Sequence, residues 1–311
     1  VWAVIGFLII AVFGFTFIAY RRDVGPARER VATGSHMAQT PCGPIEYASV
    51  GDGPPVLIVH GAGGGFDQGL YFAEPFVQAG YRIITMSRFG YLRTPLPSEA
   101  SPQEQADAHA CLLDALGIER AIGIIGVSAG APSSMQFALR HPERIDHLVL
   151  LVPLSYAPRS PEESTAPAGT PVVFETALKS DFLFWLATKT MQRTLVKTIL
   201  ATPPETFDRA PPAERARALT MLDRILPVSP RRQGLLNDAA VGSTIQRYDL
   251  ERITTPTLAI SLADDLYGTY QSARYTADHI PGARFIGYPS GGHVWVGHQE
   301  DVTSAIMAFL K

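Results

Sequence analysis

The spacing of apolar and polar positions divides the chain into five stretches. Residues Val1 to Tyr20 are almost wholly apolar and carry no charge, and about 20 such residues, at 1.5 Å each along a helix, cross the hydrocarbon core of a bilayer. The pattern predicts one transmembrane helix, residues 1–20, as an uncleaved anchor. A secretory signal is the rival, but its apolar part is usually shorter, and no small-x-small cleavage pattern follows closely before Arg21-Arg22. Residues 21–43 turn charged and small, which reads as a linker.

From 44 to 152 the period changes repeatedly between two and 3.6. Ile45 to Val50, Pro55 to His60, Arg82 to Met86, Ala121 to Ile125 and His147 to Val152 read as strands. Between them run helical segments: one capped by Asp67 and reaching about Ala79, one from Ser101 to Leu116 with Ser101 and Glu104 as a capping box, and one from Pro132 to Arg140. Such alternation predicts a mostly parallel sheet with right-handed crossovers. It stops over 153–249, where no clear strand appears. A Pro/Ser/Glu-rich part, Ala157 to Gly169, is followed by helical runs at Phe174 to Leu200 and Ala213 to Ile225, with Phe182, Phe184 and Trp185 among them. The stretch reads as a helical lid or a plain helical subdomain. The α/β pattern returns over 250–311: a strand at Pro256 to Ser261, a helix through His279, a strand at Arg284 to Tyr288 and a last helix at His298 to Leu310.

Composition narrows the classes. With 46% hydrophobic and 18% charged residues a sizeable core can be buried. A net charge of -3 and the lack of a dense basic cluster give no sign of nucleic-acid binding. Two cysteines make neither a disulfide framework nor a zinc site, and Cys111 reads as a small buried hydrophobe. None of the eight histidines has metal-ligand spacing, and neither a dinucleotide fingerprint nor a P-loop is present, so no cofactor or metal is expected. Arg21, Arg22, Arg28 and Arg30 would hold the flank of the anchor in the cytoplasm by the positive-inside rule, but charges before Val1 are unknown, so the side of the membrane stays open.

Candidate chemistry gathers at strand ends. Ala121 to Ile125 runs into Gly126-Val127-Ser128-Ala129-Gly130 and then a helix, the pattern of a nucleophile elbow. Glycines two residues either side of Ser128 keep a Cβ from striking the neighbouring strand or helix. The strand ending at His60 opens into Gly61-Ala62-Gly63-Gly64-Gly65, which suits backbone N–H groups that must approach a reacting carbonyl. A serine hydroxyl needs a base, and the base a carboxylate that fixes its tautomer. Asp264 or Asp265 follows one later strand and His293 the next, giving the order Ser, Asp, His. His60 reads as a hydrogen-bonding support for the site, and His298 as a cap of the final helix or packing beneath the site.

Over about Pro44 to Lys311 these motifs, His60 to Gly63, Gly126 to Gly130, Ala263-Asp264-Asp265 and Gly291-Gly292-His293, resemble the α/β-hydrolase fold superfamily, esterase and lipase branch. The resemblance implies an α/β-hydrolase fold, a mostly parallel central sheet with helices on both faces and a helical lid insertion. It implies Ser128 as nucleophile, His293 as general base and acid, and a strand-end aspartate as its orienter. Aligning Asp264-Asp265 with the family's common Asp-Asp pair selects Asp265. The oxyanion hole would be the N–H groups of Ala62 and Ala129, with Gly63 as a substitute. The function expected is a membrane-anchored serine hydrolase that cleaves carboxylic esters through an acyl-enzyme, with a small-molecule ester or acyl substrate. C–C bond hydrolases, thioesterases, perhydrolases and acyltransferases keep the same triad, and a non-catalytic binding protein or a membrane-organising protein stands further off. The oligomeric state is left open.

Overall fold

The computed structural model describes residues 2–158 and 180–311. Its apolar runs assemble as one eight-stranded sheet: β1 (His36–Thr40), β2 (Gly43–Val50), β3 (Pro55–Val59), β4 (Arg82–Met86), β5 (Ala121–Val127), β6 (Ile145–Leu151), β7 (Thr257–Leu262) and β8 (Arg284–Tyr288). The order is β1-β2-β4-β3-β5-β6-β7-β8. β1 pairs with β2, and β2 with β4, antiparallel, while every pairing from β4 to β8 is parallel, so the sheet is mixed. The helices described are α1 (Trp2–Thr33), α2 (Phe66–Gln78), α3 (Pro102–Ala115), α4 (Ala131–Arg140), α5 (Asp181–Thr190), α6 (Gln192–Thr198), α7 (Pro204–Arg209), α8 (Pro212–Asp223), α9 (Arg232–Ser243), α10 (Thr269–His279) and α11 (Gln299–Phe309).

The central strands are apolar on both faces because both are covered. In β3, Val56 and Ile58 point into one cluster with Ala73 and Phe76 of α2 and Val302 and Ile306 of α11. Leu57 and Val59, one residue out of phase, point into the other with Leu112 of α3, Ala138 of α4 and Ala273 of α10. A third cluster lies in the lid, where Phe184, Trp185, Leu222, Ile225 and Leu235 pack together. Among the described residues the region 153–249 holds helices and no strand. Of the expected run from Phe174 to Leu200, the part that is described, from residue 180 on, holds two helices, α5 and α6, parted at Met191. The Pro/Ser/Glu-rich stretch lies largely outside the described residues.

Three expectations are corrected. The segment 21–43, read as a linker, continues α1 to Thr33 and then forms β1. Its charges looked like solvated linker, but two of them, Arg28 and Arg30, pair with Asp181 and Asp67, and Val24 and Ala27 are buried in the lid cluster. Cys111 is half-buried and forms a disulfide with Cys42 across 69 residues, joining the β1–β2 turn to α3. Asp67 does not cap α2. Gly65 is at the N-cap, and the Asp67 carboxylate, in the first turn, is taken by arginines. Ser101 does cap α3, its hydroxyl accepting the Glu104 N–H.

The outer half of α1 is different in kind. It carries an 18-residue window of mean hydropathy 2.5, none of it buried, and Trp2 and Phe7 are 86% and 72% exposed. By length and composition it is able to cross a membrane.

Candidate active site

β5 delivers Ser128 into a single 3-10 turn that leads straight into α4. Ser128 has φ +50, a left-handed conformation that side chains other than glycine rarely adopt. The turn closes this tightly because its flanking glycines have no Cβ. On Gly126 a Cβ would stand 2.5 Å from Ser134 Oγ, and on Gly130 it would stand 2.4 Å from the Val59 carbonyl oxygen. Val152 and Trp295, which line the same cavity, also have positive φ, so backbone strain gathers around the serine.

The loop after β3 is held by several hydrogen bonds. Gly61 N–H donates to Gln68 Oε1 at 2.9 Å, and Gly61 O accepts from His60 Nδ1 at 2.7 Å. His60 Nε2 accepts the Arg88 N–H at 2.9 Å, which fixes its neutral tautomer. Burial, and after it the Arg88 charge, push the His60 pKa well below its ordinary value, as a supporting role requires. Gly64 O accepts from Arg231. Gly63 N–H donates to the Tyr91 hydroxyl at 3.2 Å, so Gly63, expected as a substitute oxyanion donor, is already spent. Among the described residues the Ala62 and Ala129 amides have no acceptor, and Ala62 shares the cavity of Ser128. Ala129 lies at the start of α4, where the helix dipole adds positive potential.

β7 and β8 bring the other groups. His293 Nε2 lies 2.8 Å from Ser128 Oγ, and His293 Nδ1 lies 2.7 Å from Asp265 Oδ2. Asp265 is buried; its Oδ1 accepts the Tyr267 N–H at 2.9 Å, and its Oδ2 also accepts the Thr269 hydroxyl. Thr269 is braced in turn by Ser261. With Nδ1–H donated to that carboxylate, Nε2 carries a lone pair directed at the serine hydroxyl, an arrangement able to take up its proton. Asp264 points elsewhere, accepting from Thr206 Oγ1 and from Gly292 N–H, each at 2.7 Å. His298 is at the N-cap of α11 with no side-chain cap bond. It stacks on Tyr288 and contacts Asp301, away from the serine.

Sequence reading did not single out several residues that shape this site. Tyr91 bridges Gly63 to Asp238 of α9, and Arg88 grips the same carboxylate with two bonds of 2.7 Å. Burial first, then the Asp238 charge, raise the Tyr91 pKa well above its ordinary value, so it stays a neutral bridge. Tyr267 packs edge-on against His293 with ring centroids 4.8 Å apart. These contacts span up to 150 positions, and no local spacing reports them. Thr269 alone left a trace, four residues after Asp265 at a helix start.

The cavity over Ser128 holds about 100 Å³ and is lined by Phe72, Phe184, Ile199, Met221, Ile225 and Trp295, among others, with no Lys or Arg among its described lining residues. Nor do the described residues contain a cluster able to hold a metal.

A family model described as alpha/beta hydrolase fold matches residues 54–296. An uncharacterized hydrolase, YcgS, of Bacillus subtilis is 27% identical over 278 residues, 86% of this chain and 95% of that protein. A 2-hydroxymuconate semialdehyde hydrolase of Pseudomonas putida is 28% identical over 84% of this chain and 88% of its own length. Among solved structures, an alpha/beta hydrolase fold protein from Nakamurella multipartita superposes with TM-score 0.69 at 30% identity, covering 89% of this chain and 98% of that one. An esterase from Exiguobacterium antarcticum superposes with TM-score 0.67 at 18% identity over 88% of this chain and 98% of its own, a likeness of fold.

Proposed function

The chain belongs to the α/β-hydrolase fold family, and on that premise we propose that it is a serine hydrolase acting on carboxylic esters with short, uncharged acyl groups. The observation that carries this reading is the hydrogen-bonded line from Ser128 through His293 to Asp265 on the wall of an apolar cavity, beside the free Ala62 and Ala129 amides. Ser128 Oγ attacks the ester carbonyl as His293 Nε2 takes its proton. The two amides stabilise the oxyanion, and the imidazolium returns the proton to the leaving alcohol. Water, deprotonated by His293, then releases the acid and frees the serine. Asp265 keeps the imidazole in register and offsets its charge. A cavity of about 100 Å³ is smaller than the roughly 150 Å³ that encloses benzene, which supports a short acyl group.

C–C bond hydrolysis by the same residues is the second reading, favoured by relatives such as the 2-hydroxy-6-oxo-6-phenylhexa-2,4-dienoate hydrolase of Comamonas testosteroni, 35% identical over 114 residues but only 40% of that protein. A dienoate carries a carboxylate, and the absence of Lys and Arg from the described cavity lining weighs against it. Turnover of p-nitrophenyl esters from acetate to palmitate decides between them. Activity should peak at short chains and vanish in Ser128→Ala; a flat, blank-level response beside turnover of a dienoate would select the C–C reading.

The outer half of α1 is proposed as a single-pass anchor. Disulfides persist in oxidising compartments, so Cys42–Cys111 supports a domain on the non-cytoplasmic side. The basic flank argues the other way less strongly than its sequence suggests, because Arg28 and Arg30 are paired within the fold. In intact cells a membrane-impermeant fluorophosphonate should label the full chain at Ser128. Labelling only after lysis would reverse the orientation.

A further inference from the structure

We propose that Arg30, on the inner half of α1, is a positioning residue for the oxyanion loop, so that the N-terminal helix takes part in setting the reaction rate. The inference rests on the reading of the Ala62 amide as an oxyanion donor.

Arg30 reaches the loop by two routes. Through the first, its Nε donates to Asp67 Oδ2 at 3.0 Å, and Asp67 receives Arg231 at both oxygens, at 3.0 and 2.8 Å. Arg231 is fully buried and donates from Nη1 to the Gly64 carbonyl at 2.5 Å. A guanidinium so placed keeps its position only while its counter-charge keeps its own. Burial would raise the Asp67 pKa, and the two guanidinium groups outweigh it and hold it below its ordinary value, so the carboxylate stays charged between them. Through the second route, Arg30 Nη2 donates to the carbonyls of Leu226, at 2.7 Å, and Arg224, at 3.3 Å. These flank Ile225, whose side chain packs against Gly63 and lines the cavity. Both routes end on Gly63 and Gly64, the residues directly after Ala62, whose amide has no acceptor among the described residues and faces the cavity of Ser128. Asp67 thereby joins three segments far apart in sequence: α1, the start of α2 and the lid.

Arg28 supplies the comparison. It lies on the same helix and pairs with Asp181 at 2.9 Å and with Tyr20, but it touches nothing in the loop. If α1 serves only to hold the lid, the two arginines are equivalent.

The experiment uses the full chain in detergent, with thermal midpoints measured for every variant and p-nitrophenyl butyrate turnover expressed per fluorophosphonate-titrated site. Arg30→Ala should lower both kcat and the rate constant of phosphonylation about tenfold with KM nearly unchanged, the pattern of a donor misplaced in the transition state. Arg30→Lys should recover part of the loss, since it restores the charge but not the fork. Arg28→Ala should keep the wild-type rate. Phosphonylation of Arg30→Ala at the wild-type rate, or an equal loss in Arg28→Ala, overturns the proposal. If Arg30→Ala does not fold, Arg30→Lys is read alone against wild type, and no loss of kcat in it overturns the proposal. A wild-type protein that is not labelled at all overturns the reading of Ser128, and the inference with it, and that result is distinct from a labelled wild type matched by its variants.

Discussion

Ser128 and its two flanking glycines form a unit that spacing reveals, because a strand-to-helix turn this tight brings α4 against Gly126 and the end of β3 against Gly130 wherever it occurs in this sheet. The choice between Asp264 and Asp265 is not revealed by spacing. Adjacent residues diverge on leaving a strand, and only Asp265 meets His293 Nδ1. Asp264 holds the Gly292 N–H, one residue before the imidazole. Asp265→Asn should therefore lower kcat by about 10⁴-fold, since an amide favours the wrong tautomer. Asp264→Asn should cost less than about tenfold, because it weakens a backbone brace and leaves the proton relay intact. Stopped-flow turnover of both variants checks the assignment, and the opposite ranking would move the acid to Asp264. Gly63 teaches the converse lesson. Its place in a glycine-rich loop suggested a donor, but Tyr91, 28 positions on, already occupies its N–H.

Among the elements, the strands were the most legible, since a strand covered on both faces is a continuous apolar run and a turn must break it. β8 falls where it was expected, at Arg284–Tyr288. β1 was missed because His36-Met37-Ala38-Gln39-Thr40 lacks the aromatic and branched residues that mark a strand, whereas β8, at the other edge and equally half-exposed, carries Phe285, Ile286 and Tyr288. α1 was misread past Tyr20 for a related reason: only Val24 and Ala27 are buried there, too few to show a helical stripe, and its hold on the domain is by ion pairs. The disulfide ties the β1–β2 edge of the sheet to α3, and neither cysteine lines the cavity. Replacing Cys42 and Cys111 together by serine should lower the unfolding free energy by about 2–4 kcal/mol while leaving kcat unchanged. Urea melts with and without reductant measure it; a reductant-independent midpoint would show that the bond is not formed.

At the scale of the molecule, stability should fall on mild acidification before the carboxylates are reached. Burial, then the Arg88 charge, hold His109 at a pKa of about 3, and the same two causes place His60 well below its ordinary value. Below a pKa of about 6.5 the unfolded chain binds these protons and the folded chain does not, so stability drops as pH falls. His109 alone contributes a loss of about 2 kcal/mol between pH 7 and pH 5. His60 acts in the same direction. Asp67 and Asp181, whose pKa values are lowered, withdraw their stabilisation only at more acid pH, which leaves this window to the histidines. Urea denaturation at pH 7 and pH 5 should show the loss, and His109→Gln should reduce it. An unchanged slope in that variant would mean that His109 is protonated in the folded state.

The order of motifs along the chain determined the fold family and pointed to Ser128 and His293 as a pair, because strand ends and elbow glycines leave their mark in short stretches of sequence. The tertiary structure decided which aspartate meets the imidazole and that the Gly63 amide is taken by Tyr91. It also joined Arg30, Asp67, Arg231 and Gly64 across roughly 200 positions. The physical reason is that a buried charge must find its partner wherever the fold presents one. No periodicity of apolar residues encodes where that will be.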